Sequence, residues 1–457
     1  MIKRSFLMAL LLALVIFTYG IAQADLIDGL GSNPSTSPTR VYVNPGGLGD
    51  ALVYGYYNVK EGNINFFRVV NTSESTGVAV KIRFREGKES AEVLDYFICL
   101  SAADQYSGWI VGNAITSQPG QVLSWDNDTP TFPSLAYLGT FPFAYLDPYA
   151  NVTAEMTKEG YFEILGIDAW PDTPGSRNVA TSEECLWVAT AGQLGTKPTG
   201  VERSDLEDVP NGLMGEQYLF DIKSATHIDT YAYNATALAY CRIDPVTNGG
   251  LSADDHPRLD DCQALTATAG LAEVNFALTK SNLYAMYDVE AILGGQTTYV
   301  ITFPTKRLSV IDLGSGEPFD AIDSCETIKL TVWDDAEHKP QTQIGVSPPR
   351  QGTVDEVCDE VNVVVVGDSA LPLLPTTISS SGGLLQFNIK VESAGFELGW
   401  IKIDLTAGNK STTIGSLMAN GLPAIGYEMQ DFSIGVVTPA IDMTPAMLPM
   451  KYDVQVE

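Results

Sequence analysis

The chain has 457 residues, 45% of them hydrophobic and 18% charged, with 26 basic against 56 acidic side chains and a formal net charge of −30. A surface that acidic repels nucleic acid and anionic lipid, which excludes both as expected partners. The length and apolar content suggest about two to three domains, each with a core of its own.

The chain opens on a leader. Lys3 and Arg4 precede an unbroken apolar stretch from Phe6 to Phe17, and Ala22-Gln23-Ala24 forms a small-x-small cleavage site. These are the three parts of a secretory signal peptide over residues 1–24, with Asp25 as the new N-terminus. The apolar stretch is too short for a membrane span, which needs roughly 20 residues. No later run reaches that length, so no membrane span is expected after cleavage. Cleavage removes Lys3 and Arg4 and leaves the mature chain still more negative.

Residues 25–39, rich in Gly, Ser, Pro and Thr, read as a flexible lead-in. Residues 40–59 read as strand, Gly-rich turn, strand, with PGGLGD at 45–50 as a hairpin connection. A nucleotide-binding glycine loop would open a helix instead, and ALVYGYYNV after it is strand-like. INFFRVV at 64–70 alternates. So does TGVAVKIRF at 76–84, with Val78, Val80, Ile82 and Phe84 on one face. EVLDYFICL at 92–100 is a further strand, and residues 153–166 suggest a hairpin turning at Lys158-Glu159-Gly160. Residues 181–190 read as a helical turn. Strands follow at 217–222, 298–303, 327–333, 361–366, 384–391 and 398–405. Between them, Leu271, Val274 and Leu278 share one face of a short amphipathic helix near 270–280. Residues 338–357 read as a linker and 367–383 as an exposed loop.

The expected fold class is therefore mainly β. It comprises two or more antiparallel β-sandwich modules, Ig-like or jelly-roll-like, with one or two short helices. Expected boundaries are 40–205 for an N-terminal β-sandwich, 206–345 for a second β-rich domain and 346–457 for a C-terminal β unit. An internal echo suggests duplication. VYGYYNV (53–59), INFFRVV and VAVKIRF are answered by LYAMYDV (283–289), TTYVITF and IKLTVWD. Chance similarity between two antiparallel sheets is the competing reading.

Cys99, Cys185, Cys241, Cys262, Cys325 and Cys358 all lie in the mature part. An even count in an exported chain reads as disulfides. Six cysteines allow fifteen pairings, and sequence alone does not choose among them; the expectation is neighbours in order, Cys99–Cys185, Cys241–Cys262 and Cys325–Cys358. Zinc ligation is disfavoured because C-x-x-C is absent and only His227, His256 and His338 are available.

No catalytic signature stands out. The three histidines fall in no ligand spacing, and the serine-hydrolase elbow G-x-S-x-G is absent. With 56 acids, a carboxylate pair at glycosidase spacing is expected by chance alone. The chain is thus not expected to be an enzyme. Calcium is the one cofactor the composition invites. Asp254, Asp255, Asp260 and Asp261 crowd a loop beside Cys262, and Asp126-Asn127-Asp128 and Asp334-Asp335 are further acidic turns. None matches the EF-hand pattern. Trp109, Trp125, Trp170 and Trp333 are candidates for stacking on sugar rings, with burial in the sandwich core as the plainer expectation.

Several segments resemble a group of secreted, uncharacterised surface proteins of Gram-negative bacteria. NPGGLGDALVYGYYNV, NTSESTGVAVKIRFREG and EVLDYFICLSAADQYSGWI are similar to its N-terminal part. YAYNATALA (231–239), TFPTKR (302–307), DDAEHKPQT (334–342) and GLPAIGY (421–427) are similar to later segments. The resemblance implies a surface context and supplies no catalytic residue.

Taken together, these features lead to the expectation of an exported structural or adhesive protein of the cell surface. Its expected partners are other surface proteins or copies of itself. A secreted carbohydrate- or calcium-binding module, with glycans as partner, is the alternative, and a secreted hydrolase the third reading.

Overall fold

The β-branched and aromatic runs fold as strands, and their pairing is seen in a computed structural model. It describes residues 40–112, 119–126, 128–134, 139–144, 152–224, 227–243, 257–263, 270–289, 295–312, 318–319, 324–335, 355–366, 373–374, 376, 384–387, 397–431, 433–434, 441–442 and 446–456. The leader, the lead-in and most of the 338–357 and 367–383 segments lie outside these residues.

The first part of the chain supplies β1 (Ala51–Asn58), β2 (Ile64–Asn71), β3 (Thr76–Glu86), β4 (Glu92–Leu100), β5 (Gln105–Val111), β6 (Gln121–Ser124), β7 (Glu159–Pro171), β8 (Leu213–Ser224), β9 (His227–Asn234) and β10 (Thr236–Ala239). Sheet I has the order β9-β8-β2-β5-β6, extended past β6 by Thr140–Pro142. Sheet II has the order β10-β1-β7-β3-β4, extended at its two edges by Tyr42–Val43 and Thr131–Phe132.

The second part supplies β11 (Asn282–Asp288), β12 (Gln296–Thr302), β13 (Glu326–Asp334), β14 (Asp355–Val357), β15 (Val361–Val366), β16 (Leu384–Phe387), β17 (Leu398–Asp404), β18 (Ile425–Asp431), β19 (Ala446–Pro449) and β20 (Lys451–Asp453). Sheet III has the order β19-β18-β12-β15-β16, and sheet IV the order β20-β11-β17-β13-β14. Each strand of this set occupies the place held by the strand numbered ten lower. Sheet III thus repeats sheet I, and sheet IV repeats sheet II. One direction differs: β16 runs parallel to β15, whereas β6 runs antiparallel to β5.

Three stacked cores order the sheets as layers I, II, III, IV. Tyr54, Phe67, Phe84, Ile98, Ile110 and Phe162 fill the space between I and II. Leu283, Tyr299, Ile301, Val332, Val364 and Ile401 fill the space between III and IV. Between II and III lie Val53, Tyr56, Tyr161 and Leu165 on one side and Val300, Val363, Val365, Ile425 and Tyr427 on the other. The fold is mainly β, with antiparallel sheets in more than one sandwich module.

Helix α1 (Ser182–Ala189) packs Val188 and Ala189 against Ala79 and Trp170 on sheet II. Helix α2 (Gly270–Leu278) sets Leu271, Val274 and Leu278 into the II/III core. Helix α3 (Lys306–Asp312) follows β12. The disulfides are Cys99–Cys185, Cys241–Cys262 and Cys325–Cys358. They fit an extracytoplasmic protein. Among the described residues no helix is long and apolar enough to cross a membrane.

Two local expectations are corrected. Residues 153–166 form no hairpin. Met156–Lys158 is a 3-10 turn leading into the single long strand β7, which lies between β1 and β3. PGGLGD does not join paired strands either. Tyr42–Val43 pairs with β10, which separates it from β1. In both cases the partner strand comes from a distant part of the chain, which no turn motif encodes.

Candidate interaction surfaces

Sheets II and III are covered on both sides, so the outward faces of the stack belong to sheets I and IV. On sheet I, alternation turns Phe67 and Val69 inward and leaves Ile64, Phe66 and Arg68 on the outside. Register then aligns Tyr218, Phe66, Trp109 and Leu123 in one row across β8, β2, β5 and β6. The Phe66 and Trp109 rings lie 4.7 Å apart, and Phe220 lies 5.8 Å from Trp109. Trp125, 48% exposed, meets Trp109 edge-on at 6.1 Å. Arg68 pairs with Glu216 directly opposite, and its guanidinium lies 5.7 Å from the Tyr218 ring centre.

On sheet IV, Met286, Trp400 and Trp333 form the corresponding row across β11, β17 and β13. The two indoles stack at 3.9 Å with 9° between their planes. Met286 is 59% exposed and Trp400 37%. Beside the row stand Lys402 and Tyr284, paired in register, then Lys329 opposite Asp404. Large apolar groups left in water on a sheet face mark a contact surface.

A different cluster sits buried at the junction of the two modules. Tyr161 Oη donates to the Pro304 carbonyl at 3.1 Å and shares a 2.8 Å hydrogen bond with Ser90. Lys306 Nζ donates to the Ser324 and Cys358 carbonyls, and Arg307 to that of Glu89. Burial pushes Glu360 up to about 8 against the pull of Lys306, with the charge of Glu86 adding to the rise. Burial likewise pushes Glu86 up to about 7, although the N–H groups of Ala91, Lys88 and Glu89 act in the other direction. These buried groups bind the two modules together.

The residues marked from the sequence fall into separate places. Asp254, Asp255, His256, His338 and Asn127 lie outside the described residues, as does the His227 side chain. Asp260 accepts from Arg258 Nε at 3.0 Å and Nη2 at 2.6 Å, and Asp261 accepts from the Arg258 backbone N–H at 2.7 Å. Asp126 caps its own turn, and Asp128 pairs with Arg177. Among the described residues no group of three or more His, Cys, Asp or Glu is placed to hold a metal ion. Trp170 is fully buried, whereas Trp109, Trp125 and Trp333 lie on the outward faces. Phe66, Tyr218, Phe220, Met286 and Trp400 join them there. Their alternation with inward apolar residues marks the strands, but sequence gives no sign that the outward side stays uncovered.

An open depression of about 420 Å³ beside α1 is lined by Asp128, Thr129, Thr131, Ser134, Thr181 and Glu183, among others. Its described lining holds no His or Cys, and Thr181 is occupied in a capping box with Glu184. No protein-family model, curated protein or solved structure matches the chain.

Proposed function

We propose that this chain is an exported structural or adhesive protein of the bacterial cell surface, which works through the outward faces of its two end sheets. The observation that supports this reading is the pair of outward-facing apolar rows, Tyr218-Phe66-Trp109 and Met286-Trp400-Trp333, at opposite ends of one layered stack. The disulfides and the leader favour the same compartment. Fractionation of the source cells, with electron microscopy of their surface, tests the reading. The protein is expected outside the cytoplasm, and its deletion is expected to remove a surface layer, filament or attachment. Recovery in the cytoplasm, or an unchanged surface after deletion, would sink it.

Glycan binding is the second reading, supported by the same indoles, since sugar rings stack on aromatic faces. A glycan array probed with the mature chain and its Trp125→Ala and Trp400→Ala variants separates the two.

A further inference from the structure

The duplication gives the two outward faces a specific relation. The sheet-on-sheet part of the internal junction is made by β1 and β7 of sheet II against β12, β15 and β18 of sheet III, while α2 and the inner side of β8 and β9 (Leu219, Tyr231, Tyr233) also enter that core. The counterparts of these strands in the opposite module are β11 and β17 of sheet IV, and β2, β5 and β8 of sheet I. Those counterparts carry Met286 and Trp400 on one face and Phe66, Trp109 and Tyr218 on the other. One sandwich presents a II-type face to a I-type face inside the chain. The free ends are again one II-type face and one I-type face.

We propose that copies of this chain assemble head to tail, with sheet IV of one copy covering sheet I of the next and so repeating the internal junction. The inference rests on the surface-structural reading above and names its partner, a second copy. Charge supports the same partner. The chain carries −30 overall, yet Glu216 on the outward face of sheet I is matched by Arg68. On sheet IV, Lys329, Lys402 and Lys451 stand among Asp288, Glu356, Asp404 and Asp453. Basic groups thus offset much of the acidic charge on the two faces that would meet, in a chain that is strongly acidic overall. Aromatic and Met side chains dominate them, as in the centres of protein interfaces. A contact between two different faces does not close on itself, so the product is an open chain rather than a dimer.

Two variants of the mature protein test this. One carries Met286→Glu with Trp400→Glu on sheet IV, and the other Trp125→Glu with Ile228→Glu on sheet I. All four side chains are exposed, so both variants should fold, which circular dichroism and thermal melting check. In sedimentation, the wild type is expected to grow in mass with concentration without a plateau, more readily in salt that screens its charge. Each variant alone should stay monomeric. Their mixture should give a one-to-one dimer, because one intact face remains on each. A wild type that is monomeric at millimolar concentration overturns the inference. So does a sheet I variant that dimerises alone, which would mean like-to-like pairing of sheet IV, or a mixture that stays monomeric. A monomeric wild type whose deletion still alters the cell surface overturns only the head-to-tail contact and leaves the surface reading standing.

Discussion

Glu360 and Glu86 sit fully buried where the two modules join, and each is neutral over part of the ordinary pH range. A carboxyl with a folded pKa above its unfolded value binds more protons when folded. Stability therefore falls as pH rises from the ordinary value of 4.5 to the folded one, and is flat above it. For Glu86 that window closes at about 7, and for Glu360 at about 8. Glu360→Gln keeps the shape and removes the titration. The variant should lie close to the wild type near about pH 5 and gain on it by about 4 kcal/mol by about pH 9, since the carboxyl rises from 4.5 to about 8 and one pKa unit corresponds to about 1.4 kcal/mol. Denaturant melts of both proteins across this range read the difference. A gap that does not change with pH would refute the assignment. The outer side of β3 shows the same economy. Lys81, Arg83 and Arg85 are buried and pair with Asp95, Glu92 and Glu163. From the sequence, the alternation puts Val80, Ile82 and Phe84 on one face and says nothing of what lies over the other. Burial of that face depends on neighbouring elements, and a local period cannot report it.

At the scale of elements, α1 depends on both its cap and its crosslink. Thr181 accepts from the Glu184 N–H at 3.2 Å, and Glu184 returns a bond to the Thr181 N–H at 3.0 Å. That Thr-x-x-Glu spacing is legible in the chain of residues itself, and the helix falls within the expected 181–190. The helix is then tied by Cys185 to Cys99 on β4, across a sequence separation of 86. Closing so long a loop constrains the unfolded chain strongly. The double variant Cys99→Ser, Cys185→Ser should lose about 3–5 kcal/mol in urea unfolding. A loss below about 1 kcal/mol would show that the apolar contacts of Val188 and Ala189 hold the helix unaided. The three crosslinks do follow chain order, but six cysteines allow fifteen pairings and only the fold chooses among them. Strand partners are not legible either, because β1 lies between β7 and β10, both of which follow it at long range.

For the whole molecule, the decisive feature is that two like sandwiches share a core. The echo between VYGYYNV and LYAMYDV is a true trace of this, since those segments fall on β1 and β11, and the runs after them on β2, β3 and β12, β13. The contact between the modules is also written in a glycine. A Cβ at Gly55 on β1 would stand 2.7 Å from Tyr427 Cε2 and 3.2 Å from Ile425 Cγ2, so the absent side chain is what lets β18 approach. The Gly55 carbonyl accepts from Thr302 of β12 at the same place. Modules that bury Val53, Tyr56 and Tyr161 against Val300, Val363 and Tyr427 expose a large apolar face if either one unfolds alone. Calorimetry of the wild type in dilute solution should therefore show one transition, with calorimetric and van't Hoff enthalpies in agreement. Gly55→Val inserts a branched side chain at the closest approach and should cost about 1–3 kcal/mol. Because that cost falls on the junction and on neither sandwich core, the variant should broaden or divide the transition as well as lower its midpoint. Two separate transitions in the wild type would mean that the II/III core does not couple the modules. A Gly55→Val protein that melts like the wild type would mean that the sheets can slide apart at that point without loss.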